Sequence, residues 1–364
     1  TGDRILDINR DEDKMLSQII SRIQNLDEGA AASARARQDT LTKPPGSLGR
    51  LEELSVQLAG ITGKPIPVIK DKVIITMAGD HGVVAEGVSA YPQQVTPQMV
   101  LNFLNGGAAI NVLAHHIGAR IVVVDMGVAV PLDPHPALVI KKIAPGTDNI
   151  AHGPAMTRQQ AEQAILAGME IVEAEIWRGL DIVGTGDMGI GNTTPSAAIA
   201  AALTGEPPAK IAGRGTGIDD AGLMRKIKAI ERALILNQPD PGDGLDVLSK
   251  VGGFEIGGLV GVMLGAAANR KPIMLDGFIS TAAAMIAVVI APAVRPYLIA
   301  AHRSQEYGHR LMLDWLGLKP LFDFELRLGE GTGAALGISI AEAACKVLAE
   351  MATFAEAGVS NKGG

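Results

Sequence analysis

Cysteine is nearly missing from this chain. Cys345 is the only one in 364 residues, so no disulfide can form within it. It lies in "AEAACKVLAEM", a helix-like stretch that suits a small buried hydrophobe better than a nucleophile. Aromatic residues are scarce at 3%, against 44 glycines and 47% hydrophobic residues, a texture that disfavours a β-sandwich and suits an α/β protein with many tight strand–helix joints. There is no excess of basic charge. A formal net charge of −7 argues against a general grip on nucleic acid, which needs clustered Lys and Arg to displace counterions. A small anion can still be held by local features.

Long apolar runs are also lacking. The longest, "ISTAAAMIAVVIAPAV" (279–294), is shorter than a membrane span, and the charged, amphipathic "TGDRILDINRDEDKMLSQII" has no apolar centre of a secretion signal. A cytoplasmic protein with no membrane partner is expected. Three catalytic signatures are absent: G-x-x-x-x-G-K-[ST], G-x-S-x-G, and any zinc-ligand spacing among the seven histidines. "HH" at 115–116 would diverge by about 100° on a helix. No metal and no cofactor is expected.

What is present is alternation. Short apolar runs at 72–78, 120–126, 138–143, 181–186, 271–276, 295–300 and 322–328 are separated by longer helical stretches. This pattern predicts a mainly parallel, Rossmann-like sheet flanked by helices. Residues 12–38 carry Met15, Ile19, Ile20, Ile23 and Leu26 at helical spacing, and the end of the chain is helical too. The expected division is a small helical domain from 1–65 plus 340–364 and a large α/β domain over 66–339.

Several apolar runs end in an acid beside glycine: Asp80 in "MAGDHG", Asp125 in "VVDMG", Asp187 in "GTGDMG", Asp276 in "LDGF" and Glu330 in "LGEG". In an open parallel sheet the ligand crevice lies at the carboxyl ends of the strands, so these acids should share one rim. Each could instead cap a helix or a turn. Glu330, flanked by glycines and preceded by Leu326 and Leu328, is the candidate general base, since poor hydration raises a carboxylate's pKa. "GEGTGA" is not a dinucleotide fingerprint, because helix follows it and too little chain remains for the second strand.

"GDMGIGNTTPSAAIAAAL" (186–203) is a better phosphate cradle. Its glycines permit close backbone approach, Asn192, Thr193 and Thr194 are donors, and Pro195 opens an Ala-rich helix. "GRGTGIDDAGLMRKIKAI" adds a second glycine turn with Lys226 downstream, where an anion partner and a solvated basic face are both open.

Together "LTKPPGSLGRLEELSVQLAG", "AGDHGVVAEGV", "GTGDMGIGNTTPSAA", "LNQPDPGDGLDVLSKVGGFEIGGLVGVMLGAA", "LDGFIS", "IAPAVRPYLIAAH" and "LRLGEGTGAALG" resemble the nicotinate-nucleotide:dimethylbenzimidazole phosphoribosyltransferase family, over roughly residues 40–345. The resemblance implies a homodimer that moves phosphoribose from nicotinate mononucleotide to 5,6-dimethylbenzimidazole, making the lower-ligand nucleotide of cobalamin. It implies Glu330 as catalytic base and Asp187 as a second acid. It implies phosphate and ribose contacts at Gly189, Asn192, Thr193, Thr194, Gly215, Lys226, Asp276, Gly277, Phe278 and Ser304. It further implies an acceptor pocket of Asp80, His81, Tyr91, Met99, Met188 and Leu328. Tyr91 stands where a relative can have Ser, and Met99 where one can have Gln, so the acceptor is open among benzimidazoles, adenine and phenolics. The alternative from another class is a non-catalytic nucleotide sensor using the same crevice.

Overall fold

A computed structural model describes residues 14–360. Six strands form one sheet: β1 Lys72–Gly79, β2 Ala119–Gly127, β3 Leu138–Ile140, β4 Ile182–Met188, β5 Ile273–Leu275 and β6 Leu298–Ala300. All pairings are parallel and the spatial order is β3-β2-β1-β4-β5-β6. The chain builds outward from β1 in one direction and from β4 in the other, so a crevice opens where the direction reverses, above the carboxyl ends of β1 and β4. Register places Met77 beside Asp187 and Ala78 beside Asp125, which puts the strand-end acids on one rim.

Both faces of β1 are covered, and all eight of its residues are buried, as a continuous apolar run in a parallel sheet requires. Met77 faces the helix Phe254–Ala268, where a Cβ on Gly258 would come within 3.1 Å of its Sδ. Ile74, of opposite parity, faces the helix Thr332–Glu350 through Gly184. The helices Phe254–Ala268 and Arg158–Trp177 touch backbone to backbone: a Cβ on Gly261 would stand 1.9 Å from the Ile165 carbonyl oxygen. Any larger residue there forces the helices apart. Thr332–Glu350 is long and apolar enough to cross a membrane by composition, yet it packs against β1, β4 and β5.

At the front end, residues 14–20 are helical, and Leu16, Ile19 and Ile23 join the main core while Met15 is exposed. The helix Glu28–Thr40 is capped by Asp27, which accepts from the Ala30 amide at 2.8 Å. Ala34, Ala59 and Leu348 form a small cluster joining it to Arg50–Thr62 and to the last long helix. Arg37 donates to the carbonyls of Leu348 and Ala349.

Four expected strands differ. Residues 322–328 form no ladder strand: Phe322 only bridges His302, and Glu325 sits at φ +58, a left-handed conformation that ends pairing. The 295–300 run is a 3₁₀ turn through Tyr297, because Pro296 has no N–H to give a ladder, and only Leu298–Ala300 pairs. The 138–143 and 271–276 runs pair over Leu138–Ile140 and Ile273–Leu275 alone. Cys345 is buried, and burial pushes its thiol up to about 12.

Candidate active site

A cavity of about 310 Å³ opens at the carboxyl ends of β4, β5 and β6. Of the residues expected at a site, Tyr91, Asp187, Asn192, Thr193, Gly215, Gly277, Phe278, Ser304 and Leu328 line it. Thr216, Ile279, His302, Glu306, Arg327 and Gly329 line it as well. Gly189, Thr194, Lys226, Asp276, Asp80, His81, Met99, Met188 and Glu330 do not line it.

The anion-favouring side comes from two helix starts. Thr193–Thr204 begins at Asn192 and Phe278–Ile290 begins at Gly277, and both N-termini border the cavity. Gly189 lies so close to β1 that a Cβ would stand 2.3 Å from the Gly79 carbonyl oxygen, which presses the loop onto the strand end. Thr96 accepts from the Ile190 amide at 3.1 Å and ties the same loop to the helix Val95–Leu104, which carries Met99. The Thr194 hydroxyl is buried without a partner. Lys226, from the helix Asp220–Asn237, is itself buried and donates to Thr193 Oγ1 at 3.0 Å and to the Gly213 carbonyl at 3.2 Å. Lys226 is therefore no solvated basic face. Burial lowers its pKa to about 8.

The acids divide by what they touch. Asp276 accepts from the amides of Gly331, Gly333 and Ala334 at 3.1, 2.7 and 3.1 Å, capping the last long helix. Its carboxylate does not line the cavity. Asp125 accepts from the Val128 amide and pairs with Lys142 at 3.2 Å. Asp80 accepts from the Ala129 amide at 2.8 Å, and burial raises its pKa. His81 bonds Glu255 at 2.7 Å. Burial disfavours its charged form, but Glu255 and Asp80 outweigh that and hold its pKa above the ordinary value.

Asp187 is different. It reaches the cavity wall, accepts only from Asn192 Nδ2 at 2.9 Å, and is driven up to about 8 by burial and then by Asp276, with Glu255 and Glu330 adding to it. At neutral pH it is largely a neutral acid.

Glu330 sits in a turn of three successive left-handed residues, Gly329 at φ +85, Glu330 at +66 and Gly331 at +100. The other non-glycine residues with positive φ, Gln238, Arg270 and Glu325, are exposed or half-buried, whereas Glu330 is buried. Such a conformation is costly for a residue with a side chain and collects at functional sites. Thr76 donates to its carbonyl at 3.0 Å, and its carboxylate accepts a long 3.4 Å bond from the Ile110 amide at the start of Ala109–Ile117. Burial raises its pKa, the Ile110 amide opposes, and Asp276 adds to the rise. The expected apolar walls are only partly there: Leu328 is 58% exposed on the cavity rim.

The sequence reading missed His302, Glu306 and Arg327. His302 and Glu306 follow β6 but stand in no acid-beside-glycine pattern of the kind that flagged the five acids, and Arg327 lies two residues before Gly329. Tyr91 is held on the rim, 53% exposed, by a loop whose Ala90 amide bonds Thr216. Among the described residues no group of three or more His, Cys, Asp or Glu is arranged to hold a metal ion. His115 and His116 lie exposed at the end of Ala109–Ile117.

A family profile described as "Phosphoribosyltransferase" matches residues 23–359. The chain is 64% identical to the nicotinate-nucleotide–dimethylbenzimidazole phosphoribosyltransferase of Roseiflexus sp. (strain RS-1), over 96% of this chain and 99% of that one. It is 61% identical to the enzyme of the same name from Chloroflexus aggregans, with the same coverage. A crystal structure of CobT from Thermus thermophilus superposes with a TM-score of 0.89 at 50% identity, covering 92% of this chain and 99% of that one. With the family profile, the relatives' identity over nearly the whole chain and the superposition in agreement, the chain belongs to the nicotinate-nucleotide–dimethylbenzimidazole phosphoribosyltransferase family.

Proposed function

We propose that this protein transfers the 5-phosphoribosyl group of nicotinate mononucleotide to 5,6-dimethylbenzimidazole, giving α-ribazole 5′-phosphate and nicotinate. The observation that carries this reading is one cavity bordered by two helix N-termini, with buried Lys226 bonded to Thr193 behind one of them, lined by the hard-to-ionise Asp187 and by Gly329, next to the buried Glu330. Relatives that carry this enzyme name match over nearly the whole chain.

In the proposed arrangement the 5′-phosphate lies against Asn192 to Thr194, Gly215, Gly277, Phe278 and Ser304, with Lys226 behind them. Asp276 acts through the turn it grips. The acceptor ring lies toward Tyr91, Met99, Met188 and Leu328, with Asp80 and His81 beneath. The nucleotide's pyridinium is already a leaving group, since the C1′–N bond breaks to give a neutral ring. One acceptor nitrogen attacks C1′ from the opposite face, inverting β to α, while the other loses its proton to Glu330. Asp187, neutral at the same pH, is a hydrogen-bond donor rather than a competing base. Holding both substrates in line supplies much of the remaining acceleration.

Incubation with nicotinate mononucleotide and dimethylbenzimidazole tests this: nicotinate release with α-ribazole phosphate is the expected result, and binding without release would instead make the protein a sensor. A homodimer working in the cytoplasm, with the helical ends of the chain forming a small domain, is part of the same proposal and rests on the resemblance; sedimentation of the purified chain checks the dimer.

A further inference from the structure

Glu306 is a carboxylate in a place built for anions. It follows β6, is 8% exposed, and its Oε2 is buried without a hydrogen-bond partner. It lies against the glycine turn that Lys226 also grips: a Cβ on Gly213 would come within 2.1 Å of Glu306 Oε2, and one on Gly215 within 3.1 Å of Lys226 Nζ. Glycine at 213 is what leaves room for the carboxylate. Burial raises its pKa, against Lys226, Arg327 and the Gly215 amide, which favour the charged form.

An acid beside the proposed phosphate contacts is unfavourable for a phosphate monoester, because like charges a few ångströms apart in a poorly solvated site repel strongly. Deepening the reading above, and resting on its placement of the phosphate, we propose that Glu306 is the resident counter-anion of the phosphate cradle. It balances Lys226 when no phosphate is bound, takes up one proton from solvent as a phosphate enters, and so keeps phosphorylated ligands exchangeable. Other groups facing the carboxylate could also titrate or screen. Arg214 and Tyr307 line the second cavity that shares Glu306 and Arg327, while Arg303, Arg310 and Asp323 line a third. Asp187 and His302 stand on the wall of the first.

Sulfate tests the coupling, since it stays a dianion throughout the working pH range and cannot itself supply the proton change. Calorimetry at pH 6.5 in two buffers of different ionisation heat is done on wild type and E306Q. At this pH Lys226, with its pKa about 8, is already charged. Wild type is expected to take up a proton on binding sulfate, and E306Q to bind sulfate about tenfold tighter or more with that uptake abolished. Binding of nicotinate riboside, which lacks the phosphate, is expected to be equal in both. Sulfate bound no tighter by E306Q, or with the same proton uptake, overturns the proposal. Should E306Q not fold, E306D withdraws the carboxylate by one methylene and is expected to tighten sulfate; unchanged affinity overturns it equally. Sulfate that binds but fails to compete with nicotinate mononucleotide would instead overturn the placement of the phosphate.

Discussion

Asp187 and Asp276 end neighbouring strands, β4 and β5, and both are buried, yet they are in opposite situations. Asp276 engages both oxygens with three backbone amides and anchors a helix. Asp187 has one neutral donor, borders a cavity, and resists ionisation up to about pH 8. The difference teaches that a strand-end acid is structural when amides satisfy it and available for chemistry when they do not. Asp125 falls on the first side, and Glu330, with its single long amide contact, on the second.

Removing the structural acid should cost the most stability. Asp276→Ala leaves three amides in a buried site without their acceptor and is expected to destabilise the fold by about 3 kcal/mol or more, read by urea denaturation. A change below about 1 kcal/mol would put Asp276 on the wrong side of the comparison. Glu330→Gln is expected to fold and to bind nicotinate mononucleotide while turning over at least ~100-fold more slowly, measured by nicotinate release. Near-normal turnover would remove it as the base.

Lys226→Met should raise KM for nicotinate mononucleotide about tenfold or more with a smaller change in kcat, because it takes a charge from binding rather than from the reacting nitrogen. Asp187→Asn is read in stability against pH. In the folded protein Asp187 stays protonated up to about pH 8, while unfolded it ionises near its ordinary 3.8. Between these values the unfolded state holds fewer protons, so wild-type stability falls as pH rises and levels off above about 8. The Asn variant should lose that slope and gain several kcal/mol, on the order of 5, at about pH 8 relative to about pH 4. An unchanged slope would mean that Asp187 ionises freely. The smallest effect is expected from Tyr91→Ser, which should reorder acceptor preference and leave nucleotide affinity nearly unchanged; an unchanged acceptor ranking takes Tyr91 out of the pocket.

Much of this arrangement was legible beforehand, for local reasons. Apolar runs ending in Asp near a glycine announced the parallel strands β1, β2, β4 and β5 and the rim they share, and "GNTTP" announced a helix start. Residues 322–328 misled because the alternation in "FDFELRL" imitates a strand, whereas the left-handed Glu325 turns the chain away from the sheet. Glu306 and Arg327 carried no motif, and their importance comes from approaching Gly213 and Gly215, which are distant along the chain.

By itself the sequence determined most of the strands and helices, that the sheet is parallel, and most of the side chains that stand at strand ends, because apolar period, glycine and capping residues act over a few positions. Only the tertiary structure decided which of those acids meet amides and which meet a cavity, and that a lysine within one helix backs the N-terminus of another. Hydration and partner charges set ionisation, and both are fixed by packing between segments distant in the chain.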